Sequence, residues 1–135
     1  MHILHKQFQF CAAHKYYNPS FTDSENWMAF GKDIQLHGHN YTLTISVTGE
    51  INPDTGFLVD LGHLKDVVKN NVIDVLDHRH IEVDIPWFKG KQPSTENMVT
   101  WIWEAIEKDF DGTLWRVRLQ ETPSIFTDYY GKNQP

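Results

Sequence analysis

An α+β fold, with an antiparallel sheet covered on one face by two helices, is predicted by three features of the sequence. Period-two alternation marks strands near both ends of the chain. Two stretches of helical spacing lie grouped between them. The clean alternation over residues 40–50 is the strongest strand signal in the sequence. The predicted order is strand, strand, helix, helix, strand, strand, and the length of residues 1–135 fits a single domain.

The first strand is expected over residues 3–14, with Phe8, Phe10, Ala12 and His14 on one face. Residues 15–36 are rich in Asn, Ser, Asp and Gly and read as a long loop. A loop of that length in a compact domain usually carries function. In the second strand Tyr41, Leu43, Ile45 and Val47 point one way, and Thr42, Thr44, Ser46 and Thr48 the other. Asn52-Pro53-Asp54-Thr55-Gly56 is a turn. Asp60 is placed to cap a helix whose apolar face is Leu61, Leu64, Val68, Val72, Val75 and Leu76. Residues 77–93, with Pro86, Gly90 and Pro93, read as loop. Ser94 caps the second helix, whose face is Met98, Trp101, Ile102, Ala105, Ile106 and Phe110. Strands at about 113–121 and 124–130 close the chain, with Pro123 at the turn. Such a sheet leaves two edges, which favours pairing between copies.

Composition narrows the function classes. A sequence of this length buries roughly two-thirds of its unfolded surface, so it needs no metal merely to fold. Its single cysteine, Cys11, excludes an internal disulfide. A net charge of −6 without a basic stripe argues against a nucleic-acid partner. Lys15, Lys32, Arg79, Lys89 and Lys91 read as surface residues, available to a phosphorylated ligand. No apolar run approaches the roughly 18 residues of a membrane span, and the N-terminus lacks signal-peptide character. A cytoplasmic protein without membrane contact is expected.

The sharpest chemical feature is Leu36-His37-Gly38-His39-Asn40-Tyr41. In extended backbone His37 and His39 point to the same side, with Cα atoms roughly 6.5–7 Å apart, so two imidazoles can converge on one ion. His14, at the end of the first strand, is the natural third ligand of a zinc site. Three neutral imidazoles leave a fourth position for water or substrate. His-x-His pairs also arise by chance, and the spacing alone does not decide between the two.

Asp77-His78 follows the first helix. A carboxylate beside an imidazole can fix its tautomer for acid–base work, and a His at a helix C-terminus also suits the dipole. His80 is a competing candidate two residues on. Glu121 shares a strand face with Val117 and Leu119. If that face is buried, the carboxylate needs a partner, and a planar ligand with two N–H donors would serve; exposure at the strand end is the alternative. Thr95-Glu96-Asn97 is capping chemistry at a helix start that can also meet a ligand. The five tryptophans read as core or interface, and His2, His5 and His63 as surface.

Phe10-Cys11-Ala12-Ala13-His14, Leu36-His37-Gly38-His39-Asn40-Tyr41, Leu76-Asp77-His78, Ser94-Thr95-Glu96-Asn97 and Glu121-Thr122 occur in that order. Together they resemble the 6-pyruvoyl-tetrahydropterin synthase and 6-carboxytetrahydropterin synthase family. The turn Gly49–Gly56 and Asp84-Ile85-Pro86 fit as well. The resemblance implies the tunnelling fold, assembly as a homohexamer of two stacked trimers, and a lyase acting on 7,8-dihydroneopterin triphosphate. It implies zinc held by His14, His37 and His39, the pterin ring held by Glu121 with Thr95 nearby, and Asp77 with His78 as a proton relay.

The sequence departs from the family at one position. The usual base is a cysteine four residues before the first His of His-Gly-His, and Asp33 stands there. Cys11 does not replace it, because strand parity sets it opposite His14. Some branches carry a glutamate nearby and cleave the side chain to a hydroxymethyl pterin. The resemblance therefore leaves open 6-carboxytetrahydropterin on a queuosine route, 6-pyruvoyl-tetrahydropterin, 6-hydroxymethyl-dihydropterin, or a non-catalytic pterin-binding homologue.

Overall fold

The structure is a computed structural model that describes residues 1–132; residues 133–135 of the expected domain lie outside the described residues. Four strands form one antiparallel sheet in the order β1 (His2–His14), β2 (His37–Gly49), β3 (Thr113–Thr122), β4 (Ile125–Tyr129). The helices Leu61–Val68 and Thr95–Glu107 supply the apolar layer that packs on one sheet face.

The alternation read from β2 is the core pattern. Tyr41, Leu43, Ile45 and Val47 are all buried, packed with Phe10, Val117 and Leu119 of the neighbouring strands and Leu64, Val68, Met98 and Ile102 of the helices. Thr44 and Ser46, on the opposite face, are buried too. No described helix covers them. Long polar side chains do: His5 Nδ1 lies 2.6 Å from Ser46 Oγ, Gln7 donates to Thr44 Oγ1, and Arg116 donates to Ser46 Oγ. The arginine–carboxylate pair Arg118–Asp128 stands on that polar side as two parallel bonds of 2.6 and 2.8 Å.

Three expectations need correction. Residues 15–36 are not one loop: a helix spans Asp23–Phe30 and a 3₁₀ turn spans Gly31–Ile34. A capping box starts the helix, with Glu25 N donating to Thr22 Oγ1 and Thr22 N donating to Glu25 Oε1. Periodicity was silent because the helix buries only Asn26, a polar residue. Residues 77–93 contain single turns at Ile81–Asp84 and Pro86–Phe88. The first predicted helix face holds at Leu64, Val68, Val72 and Leu76 but not at Leu61 and Val75, which are exposed. A π-helical turn at Lys69–Ile73 widens the helix, keeps residues four apart on one face and rotates Val75 out.

Candidate metal centre

β1 and β2 pair in a register that sets His14 opposite His37 and Ala12 opposite His39. Alternation then sends all three imidazoles to one side of the sheet. One ring nitrogen from each of His14, His37 and His39 lies within 4.8 Å of the others. Gly38 suits the strand pairing, since a Cβ there would stand 3.2 Å from the Ala12 carbonyl oxygen and crowd it.

Hydrogen bonds on the far side of two rings fix which nitrogen faces inward. His14 Nδ1 donates to the Pro93 carbonyl at 2.8 Å, and His37 Nδ1 donates to the Gln35 carbonyl at 2.7 Å. Each Nε2 is left as a lone-pair donor, the arrangement metal-binding histidines use. His14 is fully buried, and its Nε2 has no hydrogen-bond partner among the described residues. Burial, reinforced by the two neighbouring histidines, pushes the His14 pKa down to about 4, so the ring is neutral near pH 7. An orphaned, buried nitrogen beside two further imidazoles fits a divalent cation.

Two carboxylates flank the cluster. Glu121 Oε1, on β3, is 3.4 Å from His14 Nε2 and 3.6 Å from His39 Nε2. It is largely buried, which answers the choice between burial and exposure. Asp33 Oδ1 is 3.7 Å from His37 Nε2, and its side chain is mostly exposed. The 3₁₀ turn brings it there, and Tyr16 N donates to the Asp33 carbonyl.

Thr95 is close to fully buried, and its hydroxyl is engaged by Thr127 Oγ1 at 2.7 Å and Glu96 Oε1 at 2.9 Å. Asp77 and His78 contact each other, with His78 Nδ1 3.0 Å from Asp77 Oδ2. They also bracket Cys11 on the outer edge of β1: Cys11 N donates to Asp77 Oδ1 and His78 N donates to the Cys11 carbonyl. The Cys11 hydrogen bond and His78 together lower the Asp77 pKa. His78 takes a left-handed backbone, φ 62°, and its imidazole is exposed. Among the described residues neither member of this pair forms a hydrogen bond or ion pair with the three histidines. His80 is committed to Glu82 at 2.6 Å. Cys11 is exposed, on the side opposite His14 as parity required.

Tyr16 is a site residue the sequence did not mark. Its ring lies 5.0 Å from that of His14 and stacks on Phe30. Burial and the nearby Glu121 and Asp33 carboxylates raise its pKa, which keeps a neutral phenol beside the cluster. Its position two residues after His14 was the available signal.

Residues 3–132 match the sequence profile of the family 6-pyruvoyl tetrahydropterin synthase. The 6-pyruvoyl tetrahydrobiopterin synthase of Dictyostelium discoideum is 35% identical over 130 residues, covering 96% of each protein. The solved 6-pyruvoyl tetrahydropterin synthase of Caenorhabditis elegans superposes with a TM-score of 0.91 at 30% identity, over 96% of this protein and 95% of that one. The architecture is therefore the tunnelling fold. A dihydroneopterin monophosphate aldolase of Pyrococcus furiosus is 38% identical over 85 residues, 63% of this protein and 68% of that one.

Proposed function

The chain belongs to the 6-pyruvoyl tetrahydropterin synthase family, and from that membership we propose that it is a zinc-dependent lyase acting on 7,8-dihydroneopterin triphosphate. The observation that carries the reading is the convergence of three imidazoles, one buried and otherwise unpartnered, beside a nearly buried carboxylate. His14, His37 and His39 would hold the ion. Bound there, zinc would supply Lewis-acid polarisation of the substrate's side-chain oxygens.

The remaining roles fall to the protein's own groups. Glu121 accepts from the amino and ring N–H groups of the pterin, a planar match for a carboxylate. Thr95 supports that side of the pocket through its bond to Thr127 on β4. Asp33, beside His37, takes a proton from the substrate's tail. His78 passes a proton at Nε2 while Asp77 holds its Nδ1.

A second reading is favoured by Asp33 itself and by the aldolase relative: cleavage of a carbon–carbon bond in the substrate's tail to leave 6-hydroxymethyl-dihydropterin. A carboxylate is a weaker base than a thiolate, and removing a hydroxyl proton demands less than removing one from carbon. We also propose a single domain, a cytoplasmic location and a homohexamer. The outer edge of β1 is paired only at Cys11–Ala13, by residues 78–80, and β4 has a free edge among the described residues. Light scattering at micromolar concentration should give a mass well above that of a monomer; a monomer would contradict the assembly.

The test of function is incubation of the zinc-loaded protein with 7,8-dihydroneopterin triphosphate and mass analysis of the products. Loss of triphosphate with a 6-pyruvoyl or 6-carboxy product supports the first reading, and a hydroxymethyl product the second. Pterin binding with no product supports a non-catalytic homologue and contradicts both.

A further inference from the structure

Glu121 approaches the histidine cluster from β3 and meets two rings at once, at 3.4 Å from His14 Nε2 and 3.6 Å from His39 Nε2. In a tetrahedral site with metal–nitrogen bonds of about 2.0–2.1 Å, neighbouring donor atoms stand roughly 3.3–3.4 Å apart. The carboxylate oxygen thus keeps the spacing of a ligand toward two of the three imidazoles. The hydrogen-bond pattern agrees. His14 Nδ1–H is used on Pro93, so Nε2 faces Glu121 Oε1 as lone pair against lone pair, with no donor among the described residues between them. A cation between the two resolves that repulsion. Asp33 does not compete for this position: its side chain is 61% exposed and approaches His37 from solvent, whereas that of Glu121 is 14% exposed.

We propose that Glu121 is the fourth ligand of the resting metal centre and leaves the ion when a planar ring with adjacent N–H donors enters and takes the carboxylate. The inference rests on the reading of the three histidines as a metal centre and adds a coupling to it. One carboxylate closes the coordination shell in the ligand-free protein and grips the ring in the occupied one. Ring recognition and exposure of the exchangeable metal position become a single event. The exchange breaks one carboxylate–metal contact and forms N–H···O hydrogen bonds, with no proton or electron consumed. A molecule offering hydroxyls without the ring would leave Glu121 in place.

The test uses the full-length protein loaded with Co²⁺, read by its visible absorption. Without ligand, Glu121→Ala should change the wild-type spectrum and weaken Co²⁺ affinity by about tenfold or more. Pterin lacking the 6-substituent should shift the wild-type spectrum, and a simple triol should not. Identical spectra and affinities for wild type and Glu121→Ala, or a wild-type spectrum indifferent to pterin, would overturn the proposal. If Glu121→Ala does not fold, Glu121→Gln, of the same shape, carries the comparison. His39→Ala, run in parallel, separates the two levels. If it keeps the wild-type spectrum, the metal centre itself is wrong. If it loses the spectrum while Glu121→Ala matches wild type, only the role of Glu121 fails.

Discussion

His14 Nδ1 donates to the carbonyl oxygen of Pro93 at 2.8 Å, joining the end of β1 to the loop that starts the Thr95–Glu107 helix, 79 residues away in sequence. The bond aims Nε2 into the cluster, and burial keeps the ring neutral. That burial also ties acid stability to one residue. The pKa of His14 is lowered in the fold from 6.5 to about 4, so between those values the unfolded state binds the extra proton.

The contribution of His14 is therefore fully present above pH 6.5 and is lost as pH falls toward about 4. The metal-free protein should lose roughly 3 kcal/mol of unfolding free energy over that window, by denaturant titration at a series of pH values. His14→Gln should flatten the slope. An equal slope in that variant would assign the acid sensitivity to other groups.

Asn26 holds the segment that carries Asp33. Its side chain accepts from Asn18 N and donates to the carbonyls of Asn18 and Thr22, all from a fully buried position. Asn26→Ala leaves Asn18 N without its partner and removes the second hydrogen bond at the Asn18 and Thr22 carbonyls, which keep their backbone donors Phe21 N and Asn26 N. It should cost about 1–3 kcal/mol by thermal or denaturant unfolding. A loss below a few tenths would mean that the segment is held elsewhere.

The sheet and its two covering helices were legible because hydrophobic spacing reports burial directly, as Tyr41 to Val47 and Met98 to Ile106 show. The Asp23–Phe30 helix was not, because a capping box and a buried asparagine hold it rather than an apolar stripe. At the site, strand parity sufficed to place His14, His37 and His39 on one side. It could not show that Pro93 and Gln35 orient the rings, since those contacts depend on loop paths. The polar cover over Ser46 was equally hidden, as alternation alone marks that face as solvated.

Glu121→Gln keeps the shape of the side chain but replaces an acceptor oxygen with a donor. Pterin affinity should fall by on the order of 2–3 kcal/mol, because a charged hydrogen-bonding pair is broken. Isothermal calorimetry with a pterin ligand measures this, and unchanged affinity would remove Glu121 from ring recognition.

Asp33→Asn removes the carboxylate beside His37 without changing its size. Turnover should be abolished while metal content and pterin binding stay at wild-type values. Asp33→Cys should move the products toward those of enzymes with a thiolate base. Wild-type turnover in Asp33→Asn would pass the role of base to the Asp77–His78 pair.

Elemental analysis of the purified protein beside His37→Ala and His39→Ala tests the central claim, that three imidazoles from β1 and β2 hold one metal ion. Wild type should carry one zinc per protomer, and each variant should lose stoichiometric metal while its circular dichroism stays that of the folded sheet and helices. Full zinc occupancy in either variant would contradict the assignment.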